Sequence, residues 1–171
     1  NTFLLLDDDS SFIDEKDIRS VVETLRGGML TQGPKVLEFE SKVANYVGSK
    51  YAVAVANGTA ALHLACLALG LNKGAKVITS PNTFVATGNS ILYAGAKPVF
   101  LDIDKETLNI NINILEQAIL STKNIKAIFP VHFAGFPCNM KKIKNIASKY
   151  NLPIIEDASH ALGATYDDGS M

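Results

Sequence analysis

The residues best able to do chemistry in this chain are Asp157 and His160, which follow the apolar run Leu152-Pro153-Ile154-Ile155-Glu156. An aspartate placed directly after a buried strand has low exposure and needs a cation or a donor beside it. A protonated ring nitrogen, a helix cap or a buried ion pair would each meet that need. His160 can hydrogen-bond a phenolate or a carboxylate, or simply pack as a core imidazole. Earlier in the chain, Asn57-Gly58-Thr59 stands where a strand gives way to a helix. The first turn of a helix offers unpaired N–H groups and a partial positive charge, which suit a phosphate. Gly58 allows close approach, and the Thr59 hydroxyl can join the amides of Thr59 and Ala60. The plain alternative is an Asn-Gly turn with Thr59 as an N-cap. Phe84, after Pro81-Asn82, can stack on a planar ligand or begin a helix as a core residue.

These residues need a scaffold that brings them to one edge, and the pattern of the chain supplies it. Asp14 caps a helix carrying Ile18, Val21, Val22 and Leu25 at helical spacing, and Gly27-Gly28 ends it. Pro34 opens a second helix with Val36, Phe39, Val43 and Tyr46 on one face, ending at Gly48. Strands are then expected over 51–56, 76–80, 97–103, 125–131 and 153–156. Helices are expected between them over 59–69, 84–94, 112–120 and 140–150. Five strands separated by helices predict a parallel, doubly wound α/β sheet. The runs Val53-Ala54-Val55, Val99-Phe100-Leu101 and Ala127-Ile128-Phe129 read as strands covered on both faces. In such a sheet ligands bind at the carboxyl ends of the strands, where Thr59, Phe84 and Asp157 all fall.

The 171 residues are 47% hydrophobic and 19% charged with a net charge of −1, which fits one globular unit and offers nothing to a polyanion. Cys66 and Cys138 lack C-x-x-C spacing, so neither a zinc site nor a disulfide framework is expected, and a reducing, cytoplasmic setting is. The apolar opening Thr2-Phe3-Leu4-Leu5-Leu6 is too short for a signal-peptide core and no segment reaches the roughly 20 residues of a membrane span. His63 and His132 read as structural, and the cysteines and methionines receive no functional role. Neither G-x-G-x-x-G nor a P-loop occurs, which counts against a dinucleotide-binding oxidoreductase and a nucleotide triphosphatase. The start at Asn1 and the stop at Gly169-Ser170-Met171 read as those of a fragment.

In order along the chain stand Gly28-Met29-Leu30-Thr31-Gln32-Gly33-Pro34-Lys35-Val36, Asn57-Gly58-Thr59-Ala60-Ala61-Leu62 and Pro81-Asn82-Thr83-Phe84-Val85-Ala86-Thr87. They are followed by Gly95-Ala96-Lys97-Pro98-Val99-Phe100-Leu101-Asp102-Ile103, by His132-Phe133-Ala134-Gly135-Phe136-Pro137-Cys138, and by Glu156-Asp157-Ala158-Ser159-His160-Ala161-Leu162-Gly163. This series resembles the amino-terminal part of the DegT/DnrJ/EryC1/StrS sugar aminotransferases, nearly end to end. The resemblance implies a three-layer α/β/α fold with a mostly parallel sheet, the large-domain portion of the aspartate aminotransferase (fold-type I) architecture. It implies an N-terminal helical segment over 1–48, a partial large domain over 49–171, and no carboxy-terminal small domain. The implied cofactor is pyridoxal 5'-phosphate, its phosphate held by Gly58, Thr59 and Ala60 and its ring stacked on Phe84. Asp157 would pair with the ring nitrogen, keeping it protonated as an electron sink, and His160 would lie by the ring hydroxyl, where other members have glutamine.

The reaction so implied moves an amino group, usually from glutamate, onto a nucleotide-linked keto sugar, with a Schiff-base lysine serving as acid and base. The wording of Leu30-Thr31-Gln32-Gly33 and Ser159-His160-Ala161-Leu162-Gly163 is most similar to the branch that aminates C4 of a UDP-linked 4-keto-6-deoxy-HexNAc on the way to pseudaminic acid, with perosamine-type and bacillosamine-type synthases nearby. That lysine is expected downstream: the last lysine here is Lys149, before the Asp157 strand, so the chain alone is expected to be inactive. The family's homodimer, with active sites at the interface, would bring Thr31 and Gly33 near substrate or the neighbouring subunit. The competing readings are a non-catalytic cofactor- or sugar-nucleotide-binding remnant and a dehydrase with histidine in place of the lysine. As a fragment, the chain is expected to associate or dissolve poorly.

Overall fold

The computed structural model describes residues 13–166, so the apolar opening and the final Gly169-Ser170-Met171 lie outside the described residues. The chain divides into two compact units, Asn1–Ala54 and Val55–Met171.

The first unit holds two helices. Helix α1, Glu15–Arg26, starts in a reciprocal capping box: the Asp14 carboxylate accepts from the N–H of Lys16 and Asp17, and Asp17 accepts from the N–H of Asp14. Its apolar stripe of Ile18, Val21 and Leu25 is exposed. Helix α2, Pro34–Tyr46, begins on the expected proline, whose missing N–H costs nothing in a first turn. Glu38 lies between Lys35 at 2.8 Å and Lys42 at 2.6 Å, and these hydrogen-bonded ammonium groups hold its carboxyl down at about 2.

The strand expected over 51–56 does not form. Among the described residues no neighbour exchanges ladder hydrogen bonds with it, and the Ala54 N–H goes instead to the Glu40 carboxylate at 2.8 Å. Tyr51 and Val53 are 74% and 78% exposed, so Val53-Ala54-Val55 is not covered on both faces. The Glu40 contact also ties this extended stretch to α2, within the first unit.

The second unit contains helix α3, Gly58–Ala68, strand β1, Lys76–Thr79, helix α4, Val85–Tyr93, and strand β2, Lys97–Phe100. After a 3-10 turn at Ile112–Ile114 come helix α5, Leu115–Ser121, strand β3, Ile125–Phe129, a second 3-10 turn at Phe133–Gly135, and helix α6, Met140–Lys149. The strands form one parallel sheet in the order β2-β1-β3, with Ile78 opposite Val99 and Ile128. Neighbouring strand residues point to opposite faces. Val77 and Phe129 enter a core with Cys66 of α3, Ile91 of α4 and Ile155. Ile78 and Ile128 enter another with Leu115 of α5 and Met140 and Ile143 of α6. A sheet buried on both faces between helices is the three-layer α/β/α arrangement the sequence predicts.

Among the described residues the sheet is smaller than five strands. Strand β2 stops at Phe100, itself 55% exposed, and Ile103 makes only an antiparallel bridge with Ile110. The segment expected as strand 153–156 lies parallel beside β3 but is reduced to two isolated bridges, Ile128 with Ile154 and Val131 with Asp157. The cause is Pro130. The ladder runs from Ile128 N–H to Pro153 O and from Ile155 N–H to Ile128 O, then from Asp157 N–H to Pro130 O and from His132 N–H to Asp157 O. Proline at 130 has no N–H for the rung between.

Both cysteines are buried and unpaired. Burial pushes the Cys138 thiol up to about 12, with the Glu156 charge adding to it, and raises Cys66 as well. A thiol whose value is higher folded than unfolded contributes its stability in full below the unfolded value and loses it as pH rises towards the folded one. Stability is therefore expected to fall between about pH 9 and about 12, and neither thiol is expected to react with a soluble disulfide reagent before unfolding. Thiol titration beside thermal denaturation across that range checks both.

Candidate functional site

A cleft of about 230 Å³ opens at the carboxyl ends of the strands. One wall is the start of α3, with Gly58, Thr59 and Leu62; another is the approach to α4, with Thr83, Phe84 and Ala86. The rest of the lining comes from Val131, His132 and Phe133 after β3 and from Asp157, Ser159 and His160. The cleft gathers Gly58, Thr59, Phe84, Asp157 and His160. Ala60 is not among its lining residues, and Thr31 and Gly33 belong to the other unit.

At the α3 terminus, Asn57 is the N-cap and its side-chain oxygen accepts from the Ala60 N–H at 2.9 Å. That amide is thus occupied, and the Ala61 N–H already bonds the Asn57 carbonyl. The N–H groups of Gly58 and Thr59 have no acceptor among the described residues, so they and the Thr59 hydroxyl are the donors available to an anion. A Cβ on Gly58 would stand 3.8 Å from Ser159 Oγ, on the side of the cleft.

Phe84 is the extended residue just before α4 and is 71% exposed, an apolar ring open to the cleft rather than packed in the core. Asp157 is 5% exposed and fixed through its backbone to Pro130 and His132. Its Oδ2 accepts from the Thr87 hydroxyl at 2.6 Å, and its Oδ1 accepts from the Ser159 hydroxyl at 2.7 Å and the Ser159 N–H at 3.2 Å. Among the described residues no Lys, Arg or His pairs with it. Among the described residues no lysine or arginine lines the cleft, and Lys149 is occupied on α6 by Glu116 at 2.6 Å.

His132, read as structural from the sequence, also lines the cleft. Its Nδ1 accepts the Cys138 N–H at 2.9 Å, which assigns the proton to Nε2, and Nε2 faces Glu156 at 3.2 Å. That hydrogen bond is the main reason the Glu156 carboxyl lies below the ordinary glutamate range. His63 packs edge-on against Tyr93, consistent with a structural role. Asn109 was not legible as a site residue, yet its buried amide accepts from the Phe133 N–H and donates to the Phe136 carbonyl, holding one wall of the cleft. Thr83 and Thr87 had a faint signal in their spacing, one helical turn apart. Their partner Asp157, distant in sequence, had none.

A planar anionic ligand suits this cleft, whose lining brings together free amides, an exposed aromatic ring and a buried carboxylate with no cation among the described residues. The model of the DegT/DnrJ/EryC1/StrS aminotransferase family matches residues 11–171. The chain belongs to that family. It is 49% identical over 154 residues to the spore coat polysaccharide biosynthesis protein SpsC of Bacillus subtilis, and 42% identical over 154 residues to a UDP-4-amino-4-deoxy-L-arabinose–oxoglutarate aminotransferase of Shewanella sediminis. Each alignment covers 90% of this chain and 39% of the relative, so the chain spans about two-fifths of the length of the curated proteins it matches. The structure of NtdA from Bacillus subtilis with bound cofactor PMP superposes with a TM-score of 0.82 at 37% identity, over 90% of this chain and 35% of that one. A GDP-4-keto-6-deoxymannose-3-dehydratase does so with a TM-score of 0.87 at 32% identity, over 95% of this chain and 43% of that one. These neighbours share the fold-type I architecture, and the parallel sheet with its cleft is the large-domain portion of it.

Proposed function

We propose that this chain forms the front part of a pyridoxal phosphate-dependent sugar aminotransferase. Its cofactor is pyridoxal 5'-phosphate, and the full protein transfers an amino group from glutamate to a nucleotide-linked 4-keto-6-deoxy sugar for surface polysaccharide synthesis. The observation that carries this reading is the grouping of two free helix amides, an exposed Phe84 ring and the buried, cation-free Asp157 carboxylate around one cleft. SpsC and the UDP-sugar aminotransferase of Shewanella support the sugar substrate by their names.

When bound, the cofactor supplies the electron sink that amino transfer requires. The residues of this chain bind and orient it. The Gly58 and Thr59 amides, with the Thr59 hydroxyl, hold the phosphate, and Ala60 contributes helix backbone beneath them. Phe84 covers one face of the ring and excludes water from it. Asp157 accepts a hydrogen bond from the ring nitrogen and keeps the proton there, and His160 lies by the ring hydroxyl. Thr31 and Gly33 approach the substrate or the second subunit of a homodimer. The Schiff-base lysine comes from the sequence after Met171, since none follows Lys149 here, so the 171-residue chain is inactive by itself. The protein works in the cytoplasm. No helix among the described residues is long and apolar enough to cross a membrane.

The test is to incubate the full-length protein with glutamate, pyridoxal phosphate and a UDP-linked 4-keto-6-deoxy-HexNAc, following the products by mass. An amino sugar with matching 2-oxoglutarate is the expected result. A deoxygenated keto sugar identifies the dehydrase instead, and a protein that binds without turnover identifies a remnant.

A further inference from the structure

The hydroxyl groups behind Asp157 have a polarity that can be worked out. An ionised carboxylate only accepts hydrogen bonds, so the single hydroxyl hydrogen of Thr87 is donated to Oδ2 at 2.6 Å. The Thr83 and Thr87 hydroxyls are 2.7 Å apart, and with the Thr87 hydrogen already used, Thr83 must be the donor. The chain of donation therefore runs one way, from Thr83 to Thr87 to Asp157. The other oxygen, Oδ1, takes both the Ser159 hydroxyl and the Ser159 N–H. A carboxylate has about four lone-pair positions. Donors among the described residues fill three, and the remaining one is on Oδ2, on a residue that lines the cleft. Thr87 is fully buried and does not line the cleft, so it can act only through Asp157.

We propose that Thr87 is a positioning residue that aims the open lone pair of Asp157 Oδ2 into the cleft, with Thr83 polarising its hydroxyl and Ser159 locking the opposite oxygen. The inference rests on the reading of the cleft as a pyridoxal phosphate site. A hydroxyl that donates to a carboxylate strengthens when it also accepts, which gives Thr83 a smaller effect in the same direction. Removing Thr87's donor leaves the carboxylate free to turn and fills the space with a methyl group.

The experiment titrates pyridoxal phosphate into the full-length protein and its variants, reading affinity from the visible absorption of the bound cofactor and recording how that band changes with pH. Thr87→Val is expected to weaken binding by about tenfold and to move the pH at which the band changes. Thr87→Ser, which keeps the donor, is expected to bind within about twofold of the unsubstituted protein, and Thr83→Val to lose only about threefold. In an Asp157→Asn background Thr87→Val is expected to weaken binding by less than it does in the unsubstituted protein, because Thr87 no longer donates to a carboxylate there. Unaltered binding and band in Thr87→Val, or equal damage from Thr87→Ser and Thr87→Val, would overturn the role of Thr87 while leaving the cofactor reading intact. Should Thr87→Val not fold, Thr83→Val and Ser159→Ala decide the matter, each leaving both carboxylate oxygens a donor: weakened binding in both supports the inference, and unchanged binding in both overturns it. If the unsubstituted protein takes up no pyridoxal phosphate, the cofactor reading falls and the inference falls with it.

Discussion

Asp157→Asn in the full-length protein is expected to lower amino transfer by about a hundredfold or more while the protein stays folded. The carboxylate is 5% exposed and its three protein contacts all come from donors, so its charge has no counter-ion among the described residues. In the proposed function the cofactor's pyridinium N–H would be its partner. Asparagine keeps the size of the side chain and can turn its oxygen to the two Ser159 donors. Its amide would then donate to the Thr87 hydroxyl, and the Thr83–Thr87 pair, at 2.7 Å, can reverse to accommodate that. The chemical loss is thus separated from a loss of fold. Turnover measured beside thermal denaturation checks the prediction, and a variant that transaminates at a normal rate would exclude the role given to Asp157.

Gly135→Ala is expected to cost about 2–4 kcal/mol of stability. Gly135 has φ +81°, a region where a Cβ alone costs about 1–2 kcal/mol. The added Cβ would also lie 2.9 Å from the backbone oxygen of His160, which no side-chain rotation can relieve. The turn at Phe133–Gly135 and the His160 stretch would have to separate, and both line the cleft. Gly70→Ala supplies the control: its φ is +68° but nothing lies within 4 Å of the new Cβ, so about 1 kcal/mol is expected. Equal melting temperatures for the two variants would show that the contact with His160 is unimportant.

Helix existence was legible almost throughout. Asp14, Pro34 and Asn139 all stand at helix starts, because capping and proline geometry are local properties of a few residues. Helix 112–120 differs in detail, opening as a 3-10 turn before α5 begins at Leu115. Strands were less legible, because a strand is completed by its neighbour. Tyr51, Val53 and Val55 have the composition of a strand and no ladder partner among the described residues, whereas Ala127, Ile128 and Phe129 have the same composition and are fully buried in the sheet. Local propensity cannot tell these two apart. The break beside Pro130 was visible as a residue type, but its effect appears only once the register across to Pro153 and Ile155 is known.

The sequence by itself determined the order of the elements, the edge of the sheet where Gly58, Thr59, Phe84, Asp157 and His160 would lie, and the family the chain belongs to, since motifs are strings of residue types in order. Only the tertiary structure decided which donors remain free. Asn57 takes the Ala60 amide and leaves those of Gly58 and Thr59, while Thr87 and Ser159 surround Asp157 and leave one lone pair open. Asn109 and Gly135 likewise gain their importance from contacts across the fold. The physical reason is that a hydrogen bond depends on distance and direction between groups brought together by packing, and neither is written in the identity of the residues that make it.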